Sequence, residues 1–210
     1  PPRCSSISGA PCNTASAAPT AMLARLSLTL CKMPVMDANS PVKVATSSAA
    51  RGIGPAAVFC SPRYITTDGS GVLYIADTNG NMISSYNTVT GYVGSFAGSG
   101  SCGYVDGVGA AAVIHRPRGM TSDGTSVYFV EFNAHTVRQG VLATRAVSTL
   151  LGTPPACTVA CSCGATPAGS YLEGVGVAAQ FANPFALAFH YPSRSLFVFD
   201  AGNSVIRRVQ

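Results

Sequence analysis

Three stretches of the chain decide the fold: Arg51-Gly-Ile-Gly-Pro-Ala-Ala-Val-Phe-Cys-Ser-Pro62, Asp106-Gly-Val-Gly-Ala-Ala-Ala-Val-Ile-His-Arg-Pro117 and Glu173-Gly-Val-Gly-Val-Ala-Ala-Gln-Phe-Ala-Asn-Pro184. They align without gaps and share Gly-x-Gly-x-Ala-Ala-x-Phe/Ile-x-x-Pro. Self-similarity of this kind marks a repeat architecture, in which each unit buries an apolar face against the next. Pro62, Pro117 and Pro184 stand 55 and 67 residues apart, so each unit has room for several strands.

The segments downstream of each proline repeat as well. After Pro62 come Arg63-Tyr-Ile-Thr-Thr-Asp68, Val72-Leu-Tyr-Ile-Ala-Asp77, Met82-Ile-Ser-Ser-Tyr86 and Tyr92-Val-Gly-Ser-Phe96. After Pro117 the order is Arg118-Gly-Met-Thr-Ser-Asp123, Val127-Tyr-Phe-Val-Glu131, Thr136-Val-Arg138 and Ala146-Val-Ser-Thr-Leu150. After Pro184 come Phe185-Ala-Leu-Ala-Phe189, Leu196-Phe-Val-Phe-Asp200 and Val205-Ile-Arg-Arg-Val209. These runs are rich in β-branched and aromatic residues and are bounded by Asp-Gly, Asn-Gly, Gly-Asn or Pro-Ser turn signals. Each unit therefore reads as a four-stranded antiparallel meander, and the fold class as an all-β, propeller-like array of such blades forming an incomplete ring. The expected blades are 62–97, 117–151 and 184–210, the last without its outer strand. Together with Lys43-Val-Ala-Thr46, an outer strand that either completes the third blade by ring closure or ends an earlier blade, they make a propeller region over 42–210. Because three blades do not curve into a ring, the region reads as part of a larger propeller. Residues 1–41 do not match the repeat and read as irregular, with one short helix over 20–30.

The pattern resembles the NHL-repeat family of β-propellers. The matching features are Pro-x-x-Ile/Met/Leu, an apolar strand ending in Asp or Glu, Asn79 or Asn133 in the next turn, and the following Ile or Val. The likeness covers about residues 51–210. It implies a blade scaffold whose known roles include protein binding, RNA binding and metal-dependent lyase or hydrolase chemistry.

Composition narrows these classes. Apolar residues make up 47% of the 210-residue chain and charged residues only 10%, against roughly 25% charged in an average soluble domain. Mean hydropathy is +0.31, 22 glycines and 14 prolines supply turns, and no apolar run reaches the length of a membrane span. The net charge of +5 is carried by scattered basic residues, with Arg207-Arg208 the one adjacent pair. Such scatter disfavours a nucleic-acid partner.

No catalytic constellation or cofactor motif stands out. Gly98-Ser-Gly100-Ser-Cys-Gly103 fits a phosphate-loop spacing, but both lysines, Lys32 and Lys43, lie upstream and βαβ units are lacking, so it reads as a linker. A metal on three histidines is excluded by topology. His115 and His135 open on one face and His190 on the other, beyond the reach of a single zinc ion. The carboxylates Asp77, Glu131 and Asp200 recur at one position and read as caps for turn amides.

Binding is the remaining class, with a protein or small ligand at the linker-loop face as partner. Arg63 and Arg118 come after their prolines at the same place, available to an acidic partner or for pairing with Asp106 or Glu173. His115, His135 and Tyr171 join them as candidates. The linker at 152–173 is about 13 residues longer than its counterpart at 98–106 and carries three of the eight cysteines. An even cysteine count in loop segments points to an extracellular or cell-surface protein with disulfides. Cys60, Cys102, Cys157, Cys161 and Cys163 are the candidates, with the pairing open.

Overall fold

The computed structural model of the chain describes residues 36–37, 40–41, 52–53, 59–153 and 169–209. Two dipeptides, β1 (Met36–Asp37) and β2 (Ser40–Pro41), pair antiparallel, and β3 (Gly52–Ile53) comes next. Blade 1 is β4 (Pro62–Thr67), β5 (Val72–Asp77), β6 (Met82–Asn87) and β7 (Tyr92–Ala97). After β8 (Gly107–Val108), blade 2 is β9 (Pro117–Ser122), β10 (Ser126–Glu131), β11 (Thr136–Val141) and β12 (Ala146–Leu151). Blade 3 is β13 (Pro184–His190), β14 (Ser195–Asp200) and β15 (Val205–Val209). Each blade is an antiparallel meander, as the repeat predicts, and the three sheets stand in an open row. The expected helix at 20–30 and outer strand at 43–46 lie outside the described residues, as do all cysteines other than Cys60 and Cys102.

The hairpins close where short polar side chains replace backbone turns. Asp68 accepts N–H bonds from Ser70 and Val72 and the Tyr74 hydroxyl. Asp123 does the same one blade later for Thr125, Ser126 and Tyr128. Carboxylates of this kind satisfy turn amides and fix register.

Stacking supplies the core. Between blades 1 and 2, Tyr74, Ala76, Ile83 and Phe96 meet Ile114, Val127, Phe129 and Val147. Between blades 2 and 3, Val130, Val137 and Leu151 meet Phe181, Leu187 and Val198. The recurring Phe/Ile of the linker is thus a wedge: Phe59, Ile114 and Phe181 are all buried. Each such side chain is worth about 1.5–3 kcal/mol on burial.

One element was not visible in the repeat. Gly52–Ile53 pairs with β7, and Gly107–Val108 with β12, so the linker first adds a fifth strand to the outer edge of the blade it precedes. It then makes a 3-10 turn at Gly109–Ala111, or at Gly176–Ala178 before blade 3. Gly98 and Ser99 donate N–H bonds to the Gly109 and Ala112 carbonyls, which anchors the glycine-rich stretch as structure.

Candidate functional site

The innermost strands β4, β9 and β13 pack side by side, and each has a register shift just after its proline. Pro62 faces Asp77 but Tyr64 faces Ala76, so the extra residue is Arg63. Pro184 faces Asp200 but Ala186 faces Phe199, so it is Phe185. In β9 the shift lies between Pro117 and Met120 and takes in Arg118. Bulges of this kind re-aim a side chain. Here they turn Arg63, Arg118 and Phe185, one from each blade, out of the sheets at the end where the linkers enter.

Around them a cluster forms that the sequence did not announce. The Arg118 guanidinium lies over the Phe132 ring at 4.0 Å and near the Phe185 ring at 5.6 Å. Phe185 in turn meets Tyr64 and Phe132 edge to face, with centroids 6.1 and 6.2 Å apart. Phe132 comes from the turn after β10, and Tyr64 from β4, so three blades contribute. Burial, with the nearby charges of Arg63 and Arg116, holds the Arg118 guanidinium below its ordinary range. Tyr64 opposes this shift. Gly119 permits the approach: a Cβ there would sit 2.6 Å from both the Ala186 Cα and the Phe185 carbonyl oxygen.

Arg63 and Arg118 do not pair with Asp106 or Glu173. Those acids belong to a different device. Arg138 donates to Asp106 at 2.8 Å and to Glu131 at 3.1 Å, and to the carbonyls of Val105 and Val113. Arg207 repeats the arrangement with Glu173, Asp200, Gln180 and Leu172. In both, a guanidinium from the third strand clamps the carbonyls where the linker folds back on itself. The signal was in the sequence: acid at the linker start and Arg in the third strand occur together in units 2 and 3, whereas unit 1 has Arg51 and Ser84.

Asp77, Glu131 and Asp200 cap linker amides. They accept the N–H of Cys60, His115 and Ala182 respectively, each two residues before the blade's proline, at 2.7 Å. Full burial pushes the Glu131 carboxyl up, against the pull of Arg138 and its hydrogen-bond donors.

The other candidates also have structural work. His115 is hydrogen-bonded through Nδ1 to the Tyr104 hydroxyl. Burial, with the Arg116 charge, pushes its pKa down to about 4, so the ring is neutral at pH 7. His135 is buried, sits at φ 58° and accepts the Asn183 N–H at 2.8 Å, latching blade 2 to the linker of blade 3. Asn81, at φ 52°, does the same for the Arg116 N–H. Tyr171 is exposed, donates to Glu173 at 2.6 Å and flanks Arg207. Cys102 is disulfide-bonded. Cys60 is buried, held in the turn whose amide Asp77 clasps. Cys157, Cys161 and Cys163 lie outside the described residues.

No family model and no curated protein matches this chain. Solved structures do. An auxiliary nutrient binding protein from Bacteroides thetaiotaomicron VPI-5482 matches at TM-score 0.57 and 19% identity, over 81% of this chain and 40% of that one. An auxiliary nutrient binding protein from Bacteroides ovatus ATCC 8483 matches at TM-score 0.57 and 21% identity, over 79% and 44%. A structural genomics protein of unknown function from Bacteroides thetaiotaomicron VPI-5482 gives TM-score 0.58 and 21% identity, over 74% and 37%. The likeness is one of fold, propeller-like, and the chain spans about two fifths of the length of these structures.

Proposed function

We propose that this chain is a non-catalytic binding module of NHL-type blades in an extracellular protein, taking an acidic partner at the linker end of its innermost strands. The observation that carries this reading is a contrast among the arginines. Arg138 and Arg207 each hold two carboxylates, whereas Arg63, Arg116 and Arg118 make no ion pair among the described residues. Unopposed positive charge beside apolar rings is a recognition feature with an energetic cost that a partner relieves. The repeated carboxylates support the non-catalytic part, because Asp77, Glu131 and Asp200 are occupied in holding backbone amides. Two of the similar structures are described as auxiliary nutrient binding proteins, in keeping with a binding role. The disulfide at Cys102 supports an oxidising compartment.

The test is an amide-resolved NMR titration with small acids, amines, neutral sugars and an RNA oligomer. The reading expects acids to perturb residues 63–64, 118–119, 132 and 185. Perturbation confined to other surfaces, or tightest binding by RNA, counts against it.

A further inference from the structure

We propose that the ligand taken at this end of the innermost strands is a small carboxylate carried on a flat apolar body, gripped by the in-plane edge of Arg118. This rests on the reading that the linker end is the binding face. Arg118 presents an unusual combination. Its guanidinium face is covered by Phe132 at 4.0 Å, so hydrogen bonding is open to it only in its own plane. Its Nε is buried and has no hydrogen-bond partner. Arg138 also leaves its Nε unpaired, but two carboxylates neutralise that side chain, and Arg118 has neither.

A charged group without an acceptor calls for an ionised one. Because Nε is closed off, the grip falls to the two terminal Nη groups, which make no hydrogen bond among the described residues and whose outer N–H bonds run parallel at the spacing that the two oxygens of one carboxylate fit. Arg63, exposed at the equivalent position one blade earlier, adds attraction without a competing acid. Directly beside the guanidinium, Phe185 leaves 38% of its surface to solvent, with Tyr64 set edge-on against it. Exposed aromatic surface continuous with an anion-seeking edge selects a ligand with both characters. It disfavours a bare inorganic anion, which would leave Phe185 in water.

The experiment uses the whole chain and four probes: benzoate, its neutral isostere benzamide, acetate and phenyl phosphate, followed by NMR titration with calorimetry. Benzoate is expected to shift the amides of 63–64, 118–119 and 185, and to bind at least tenfold tighter than benzamide or acetate. Arg118→Lys keeps the charge and loses the fork, and is expected to weaken benzoate at least tenfold. Should that variant fail to fold, Phe185→Ala at the exposed ring decides the apolar half, with benzoate at least fivefold weaker and acetate unchanged. Benzamide matching benzoate, or an unchanged affinity in Arg118→Lys, overturns the carboxylate grip while shifts at these residues leave the binding face standing. Tighter binding by phenyl phosphate overturns the carboxylate in favour of a phosphate. Shifts from every probe confined to other residues overturn the face itself.

Discussion

Glu131 at the end of β10 accepts the backbone N–H of His115 at 2.7 Å, so a buried carboxylate fixes the path of the linker into its own blade. Its other oxygen takes Thr136 and Arg138, both at 3.1 Å. The chain therefore threads from outer edge to inner strand around a charge that is fully buried. Such a charge is tolerated only while its partners remain.

Removing Arg138 should strand that charge. Arg138→Met is expected to destabilise the chain by about 3–5 kcal/mol, read from urea unfolding. Adding Glu131→Gln neutralises the stranded group while keeping an acceptor for His115, and should recover about 1–2 kcal/mol of the loss. A double variant no more stable than Arg138→Met would show that the clamp on Val105 and Val113 matters more than the charge pair.

Gly119→Ala tests the close packing of β9 against β13. The new Cβ would lie 2.6 Å from backbone atoms of Ala186 and Phe185, which have no rotamer to yield. A loss of about 1–3 kcal/mol is expected, with shifts in the amides of 185 and 186. A variant as stable as the parent would mean that the strands separate at little cost.

His135→Ala and His135→Asn separate two properties of the latch. Alanine leaves the Asn183 amide without its acceptor and should cost about 1–3 kcal/mol. Asparagine tolerates the left-handed backbone and already performs this task as Asn81, so it should stay within about 1 kcal/mol of the parent. Equal losses in the two variants would point to ring packing instead.

His115 gives the fold a pH dependence with a definite sign. Its folded pKa of about 4 lies below the unfolded value of roughly 6.5. Between these values the unfolded chain binds more protons, so the stabilisation is complete above about pH 6.5 and is lost as pH falls toward 4. The stability difference between the parent and His115→Gln should shrink by about 1–2 kcal/mol from pH 7 to 4.5, allowing for the ring's partial exposure. A difference that stays flat across that range contradicts the neutral, half-buried imidazole.

Much of the blade scaffold was legible in the residues. Val72-Leu-Tyr-Ile-Ala-Asp77 and its two counterparts read directly as strands, and the Gly-x-Gly-x-Ala-Ala linker marked where one blade gives way to the next. Hydrophobic period and turn residues encode burial, and burial between stacked sheets is what forms the core. The site was only partly legible: Arg63 and Arg118 stood out by position, but Phe185, at the same place in the third unit, did not.

What the chain order determined by itself is the repeat, the strands and the wedge residues Phe59, Ile114 and Phe181, because each arises from local side-chain chemistry recurring along the polymer. What only the tertiary structure decided is where backbones turn and which distant groups meet. Ser61, Arg116 and Asn183 all take a left-handed conformation before their prolines, though no shared side chain announces it. Tyr64, Arg118, Phe132 and Phe185 gather at one spot only because three twisted sheets stack with their inner strands adjacent. Contacts of that kind are fixed by packing between blades, a physical constraint that no single segment carries.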